Sequence, residues 1–290
     1  MDLLPFILLG LLIGCFSGFF GIGGGIILTP FLLLLGFPPT MVIGTSLMLS
    51  LGTSITGAFA HLRMKNIKWR YVIIINIFGI VGTQISHPIM LQLDDRGFAE
   101  TAISFLYVAL LGFFAYTLLR KTHNKSQVEN RTQAPTFMIC LIGLGTGIIS
   151  SALGVSGGFF IVPLLITLLH FQAAHAVGTA LASVVFIVAT GLITYSFSTE
   201  LNYLVGIFLI IGTFIGAPLG AKATIYYSEK KMKKLLGALY VCMIASVIAN
   251  AIQLPIVGLT IISAFTLFFI TLLIMTYSKR AVRSNTKIEE

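Results

Sequence analysis

The chain has 290 residues, 57% of them hydrophobic and only 9% charged, with a formal net charge of +9. A soluble domain carries about 25% charged residues, so this composition excludes an ordinary water-soluble globular domain and makes lipid the solvent. The basic excess falls in four places, namely Arg63 to Arg70, Arg120 to Arg131, Lys222 to Lys234 and Lys279 to Lys287; basic short segments between apolar spans are the positive-inside pattern, and they exclude nucleic acid as the partner.

The first apolar block covers 3–20 and opens "MDLLPF", with neither a basic segment nor a small-residue cleavage site, so a retained span is expected. Apolar blocks follow at 26–36, 41–60, 71–91 and 98–119. A polar linker occupies 120–135, and blocks resume at 137–153, 158–170, 174–197, 201–222, 235–252 and 255–277. Recurring apolar runs near the spanning length of about 20 residues predict an all-α polytopic membrane protein. The alternating ten-residue segments of a β-barrel are not evident. The expected organisation is a first transmembrane repeat over 1–119, a cytoplasmic linker over 120–135, a second repeat over 136–253, and a last helix with a basic cytoplasmic tail over 254–290.

The two halves repeat each other. The stretch "SGFFGIGGGIILTP" at 17–30 has a partner, "SSALGVSGGFFIVP", at 150–163. At a constant shift Gly10, Gly14 and Ser17 pair with Gly143, Gly147 and Ser150, and Gly21, Gly24, Gly25 and Pro30 pair with Gly154, Gly157, Gly158 and Pro163. One extra residue later, "GTSL" at 44–47 matches "GTAL" at 178–181, and Thr56–Gly57 matches Thr190–Gly191. An internal duplication follows.

Charge then orients the copies. The loops at 61–70 and 222–234, the linker and the C-terminus are basic and expected inside, whereas 92–98 and 195–203 are poor in Lys and Arg and expected outside. The mid-repeat loop is inside in the first copy and outside in the second, so the copies are expected to be inverted, with the N-terminus external. The blocks at 26–36 and 158–170 are too short to span comfortably, and are expected as half-helices or re-entrant segments. The last block stands outside the duplication.

Glycine serves two purposes here. Gly10, Gly14 and Gly18, like Gly143, Gly147 and Ser151, recur every fourth residue, a small-residue face for close helix packing. Gly21, Gly23, Gly24 and Gly25 lack that spacing and sit between two helical runs, the second carrying Pro30. They predict a broken helix whose amide groups and following helix N-terminus attract an anion. The copy supplies Gly154, Ser156, Gly157 and Gly158, and inversion would bring both breaks together near the midplane. Hydroxyls follow each break: Thr45, Ser46, Ser50, Thr53 and Thr56 in one copy, Thr179, Ser183 and Thr190 in the other. Most such groups bond their own helix. Thr45 and Thr179, each after the same glycine, and Ser46 are the candidate ligands.

Ionisable residues are almost absent from the spans. His61, His87, His170 and His175 sit near span ends, where an interfacial place is expected, and Asn76 and Gln84 either line a path or join helices. Without deep acids, a carboxylate-coupled cation pump is not expected, and an anion would be held by amides and hydroxyls. Cys15, Cys140 and Cys242 are far apart in apolar segments, so no metal site, disulfide framework or cofactor is implied. No HExxH or paired intramembrane acid supports a membrane-embedded enzyme. A non-transporting scaffold or subunit stands as the other alternative.

On the residues at 14–47 and their copy at 147–181, the chain resembles the sulfite exporter TauE/SafE family of membrane permeases. The resemblance implies a permease of the inner membrane that moves sulfite or a sulfur-containing organic anion. H+ and Na+ are the candidate coupling ions, between which the sequence does not choose. The second copy departs from the first, reading "GVSGG" where the first reads "GIGGG".

Overall fold

The structure is a computed structural model that describes residues 4–34, 36–119, 135–199, 201 and 203–286. The polar linker, apart from Pro135, lies outside the described residues. Among the described residues the chain is helical throughout: α1 (Leu4–Phe20), α2 (Gly25–Leu34), α3 (Pro39–Arg63), α4 (Trp69–Asp95), α5 (Ala99–Leu119), α6 (Thr136–Leu153), α7 (Gly158–Thr167), α8 (Ala173–Ser196), α9 (Tyr203–Ala223), α10 (Glu229–Ala251) and α11 (Pro255–Thr286). The eleven apolar blocks correspond to these helices. Eight of them (α3, α4, α5, α6, α8, α9, α10 and α11) are long and apolar enough to cross a membrane.

Local chemistry sets the boundaries. Pro39 opens α3, where its missing N–H costs nothing. Gly154, at φ 68°, caps α6 in the left-handed conformation, and Gly157, at φ 72°, caps the start of α7. In the first copy the left-handed residues are Gly21 and Gly23, at φ 70° and 71°. The second copy carries Ser156 opposite Gly23, and its second left-handed residue is Gly157 instead. A side chain disfavours positive φ, so the turn moves to the next glycine. This is how the fold absorbs the "GVSGG" departure.

The two copies pack by exchange. Side chains added at Gly10, Gly14 and Gly18 of α1 would run into the α9 backbone at Leu209, Thr213 and Ala217. Gly143 and Gly147 of α6 meet Ile75 and Gly79 of α4 in the same way. The reciprocal contacts also repeat: Gly82 lies on Leu144 and Ile148, Gly216 on Leu11 and Cys15. Each small-residue face therefore packs on a helix of the other copy, at backbone contact.

These registers fix helix directions. Rising numbers on α1 meet rising numbers on α9, so α1 and α9 are parallel, as are α6 and α4. Gly52 meets Ile210 and Gly206 meets Met48, so α3 is parallel to α9; Gly79 meets Ile187 and Thr83 meets Gly191, so α4 is parallel to α8. Gly57 meets Leu181 and Gly191 meets Leu47, so α3 and α8 are antiparallel. Leu119 against Gly237, with Ile103 beside Val247, makes α5 and α10 antiparallel. Every full helix thus runs opposite to its copy. The C-terminal ends of α1, α3, α5, α9 and α11 share one end of the bundle, which gathers the loop at 61–70, the end of α5, the 222–234 segment and the end of α11. It is the basic end. The turn after Asp95 and the segment after Ser196 lie at the opposite end.

α2 turns back against α1 and runs antiparallel to α3, its ten residues covering about 15 Å. It returns only part of the way before α3 starts again toward the basic end. α7 makes the equivalent return in the second copy. The helix outside the duplication, α11, packs on both copies: Gly258 lies on Ser246 of α10, Tyr277 OH donates to the Leu219 carbonyl of α9 at 2.7 Å, and Phe269 contacts Phe16, Phe19 and Phe20 of α1 at ring separations of 4.3, 5.2 and 5.2 Å. The second copy holds Ile149, Ala152 and Leu153 at those three positions.

Candidate functional site

The two breaks meet. Ser156 Oγ donates to the carbonyl of Ile22 at 2.7 Å, across 134 residues of sequence. A Cβ on Gly23 would overlap the Ser156 side chain, one on Gly158 the Gly21 carbonyl, and one on Gly25 the Gly154 carbonyl. The contacts 21 with 158, 23 with 156 and 25 with 154 exchange under the duplication, so the pseudo-two-fold axis passes between Gly23 and Ser156. Gly21, Gly23, Gly24, Gly25, Gly154, Ser156, Gly157 and Gly158 are all buried in this crossing. Glycine is required because backbone meets backbone there.

The amides are not bare. Gly24 N–H donates to Thr53 Oγ1 at 3.0 Å and Gly25 N–H to Ser50 Oγ at 2.9 Å, so two hydroxyls of α3 hold the first break. Thr53 Oγ1 in turn donates to the Ser50 carbonyl at 3.0 Å. In the second break Gly158 N–H reaches Ser156 Oγ at 3.3 Å, and Ser150 Oγ donates to the Val155 carbonyl. The equivalents of Ser50 and Thr53 are Val184 and Ile187, so the second break has no such hydroxyl support from α8. The crossing is polar on one side and apolar on the other, and it is packed shut.

Around it lie buried hydroxyls without a partner: Ser17, Ser46, Ser54 and Ser151. Ser46 and Ser54 bracket Ser50 and Thr53 on α3, two turns apart. Ser17 and Ser151 lie in the last turns of α1 and α6. Ser17 is the copy of Ser150; the acceptor equivalent to the Val155 carbonyl is that of Ile22, and Ser156 has taken it. Ser17 Oγ itself has no hydrogen-bond partner. A buried orphan hydroxyl costs about 1–3 kcal/mol, and four of these lie on the helices that meet at the crossing.

Thr45 and Thr179 do not join the crossing. Thr179 Oγ1 accepts from Lys68 N–H at 3.1 Å, at the basic end. Thr45 lies toward the opposite end and lines a cavity of about 220 Å³ with Phe6, Leu9, Leu28, Val205 and Leu209. The reason is the inversion itself: equivalent positions on antiparallel helices diverge unless they lie at the level of the axis. Ser50 and Thr53 lie at that level. Their bonds across 25 and 29 residues were outside the reach of local pattern, although the loss of both hydroxyls in the second copy was visible.

The copies also share a tether near each break. His61 Nε2 reaches the Gly18 carbonyl at 3.3 Å, and Tyr195 OH donates to the Ser151 carbonyl at 2.9 Å. His61 and Tyr195 are equivalent positions, as are Gly18 and Ser151. Farther out, Pro30 and Pro163 interrupt α2 and α7. Proline frees the carbonyl four residues earlier; that of Phe159 accepts from Tyr240 OH at 2.8 Å, whereas the equivalent Tyr107 OH is buried without a hydrogen bond. Gln84 joins helices, donating from Nε2 to Thr194 Oγ1 at 3.1 Å, and Asn76 Oδ1 is buried without a partner.

A bundle of apolar helices with two broken, mutually crossing hairpins at its centre has the build of a polytopic membrane permease. The sulfite exporter TauE/SafE family matches residues 6–247, and the chain belongs to that family. It is similar to a probable membrane transporter protein of Bacillus subtilis, 28% identical over 75% of this chain and 89% of the relative. A probable membrane transporter protein of Methanocaldococcus jannaschii is 26% identical over 82% of this chain and 92% of its own length. One of Haemophilus influenzae is 30% identical over 78% and 87% respectively. No solved structure matches the chain. The protein is a multi-pass membrane transporter of this family.

Proposed function

We propose that this transporter is a secondary permease for a small anion, sulfite or an organosulfur anion, working by alternating access between inverted repeats. The basic end faces the cytoplasm, the N-terminus is external and the C-terminus cytoplasmic, in the inner membrane of the cell. The observation that carries the reading is the crossing on the pseudo-two-fold axis, with donors from both copies around it. An anion between the parted breaks would take the Gly24 and Gly25 amides from Ser50 and Thr53, and would satisfy Ser17 and Ser46. Backbone amides and hydroxyls suit an oxyanion that must also leave, since they supply no fixed cation to trap it. Parting the breaks toward one end, then the other, is the transport step, and H+ or Na+ is the candidate coupling ion. No reacting group is needed at the crossing, which fits a carrier and not an enzyme.

The test is flux into liposomes with labelled sulfite, thiosulfate, sulfonates and carboxylates, with and without pH or sodium gradients. Gly24→Leu drives a side chain against Leu49 and Ile13, and Gly157→Leu combines positive φ with a clash on Thr146. Both are expected to abolish flux while the protein still reaches the membrane. Normal flux in both would remove the crossing as the site, and absence of flux for every anion in the wild type would leave a scaffold.

A further inference from the structure

We infer that His61 is a proton-binding site, and that a proton there releases the basic end of the bundle. His61 is fully buried. Its Nε2 faces a carbonyl, which only accepts, so Nε2 carries the hydrogen. Its Nδ1 accepts from Asn66 Nδ2 at 3.2 Å. The neutral ring is thus fully used: it ties the last turn of α1, just before the first break, to the end of α3 and to the 64–68 loop. That loop is in turn bound to α8, where His175 Nδ1 donates to the Asn66 carbonyl at 3.2 Å and Thr179 accepts from Lys68 N–H. Asn66 and His61 thus join α1, α3 and α8 at the basic end, beside the Lys68–Thr179 bond.

A second proton breaks this pattern. It occupies the lone pair that accepts from Asn66, so donor then faces donor. Turning the Asn66 amide would return an acceptor, but a buried cation remains, and that is expensive without a counter-charge. Among the described residues of α1, α3, α8, α9 and the 64–68 loop there is no Asp or Glu. The titratable group facing His61 from α8 is His175, α1 presents the Gly18 carbonyl, the Cys15 thiol of α1 lies toward Tyr277 of α11, and α9 carries Lys222. The loop adds Lys65 and Lys68, and Arg63 lies one turn face away over the Phe59 ring. Admitting water by lifting the loop off α8 and α1 relieves the charge. The other copy makes the same tether with Tyr195, whose phenol gains no proton in the range where imidazole titrates, about pH 5–8. The two tethers are equivalent in position but not in chemistry: the imidazole is itself the tether at the basic end, whereas at the other end the His87 ring only packs against that of Tyr195, 4.7 Å away, and Asp94 lies nearby.

The experiment is hydrogen exchange by mass spectrometry on the full chain in nanodiscs, corrected for the intrinsic pH effect, which needs no substrate and stands or falls separately from transport. Protection at 16–25 and 61–69 is expected to fall about tenfold from pH 8 to pH 5, the effect of one net hydrogen bond. His61→Tyr, which carries the other copy's residue, and His61→Gln, which keeps a donor to Gly18, are expected to remove that response. Tyr195→His is expected to add a response at 149–158 beyond any that His87 gives there in the wild type. No pH response in the wild type, or an equal response in wild type and both His61 variants, would overturn the inference.

Discussion

Replacing Thr53 by valine separates a binding role for the crossing from a purely structural one. The side chains are nearly isosteric, and the change removes the oxygen that accepts from Gly24 N–H at 3.0 Å. The amide is buried and no other acceptor stands in its place, so the closed state should lose about 1–3 kcal/mol. A fall in melting temperature in detergent follows from either role. The two differ in anion affinity. If an anion binds the Gly24 amide, it must displace Thr53, and the variant has already made that displacement. Relief of about 1 kcal/mol corresponds to about fivefold tighter binding. The assay pairs thermal unfolding with anion-dependent stabilisation, and Ser50→Ala, which frees Gly25 N–H in the same way, provides an independent repeat. Lower stability with unchanged or weaker anion affinity in both variants would refute the claim that these amides face the substrate.

Three further outcomes are expected. Gly147→Val sets a branched side chain against the Gly79 backbone, and by overpacking should cost about 1–3 kcal/mol, read as lower yield and melting temperature. Tyr240→Phe should lose about 1 kcal/mol because it leaves the Phe159 carbonyl unpaired, whereas Tyr107→Phe, at the equivalent position but without a hydrogen bond, should be neutral or stabilising; unfolding of both variants checks the contrast. Single cysteines at Lys65 and Ser198, on a background with the three native cysteines replaced, should label from opposite sides of the membrane, and labelling from the same side would end the inverted arrangement.

Much of this fold was legible in sequence because the membrane leaves few choices. Backbone groups in lipid must bond within their own segment, so each apolar run had to be a helix, and the blocks locate all eleven, with the largest misses at the basic start of α10 at Glu229 and the basic end of α11 at Thr286. The duplication was legible from glycine and proline, whose roles depend on backbone geometry and are hard to replace. Gly21 and Gly154 therefore announced both breaks, and the four-residue glycine stripes announced the faces that pack on α9 and α4. What stayed hidden was anything decided by the partner across the axis. Thr45 and Thr179 read as a matched pair, yet antiparallel packing sends them to opposite ends. Ser50 and Thr53 read as ordinary helix hydroxyls, yet they hold the break. Ser17 is unpaired, while the carbonyl equivalent to its copy's acceptor, that of Ile22, accepts from Ser156, 139 residues away in sequence from Ser17. Sequence by itself determined the helices, the breaks and the repeat, since those follow from local covalent and solvation limits. Tertiary structure alone decided which donors are spent and which are free, because a hydrogen bond belongs to two residues and only the fold chooses the second.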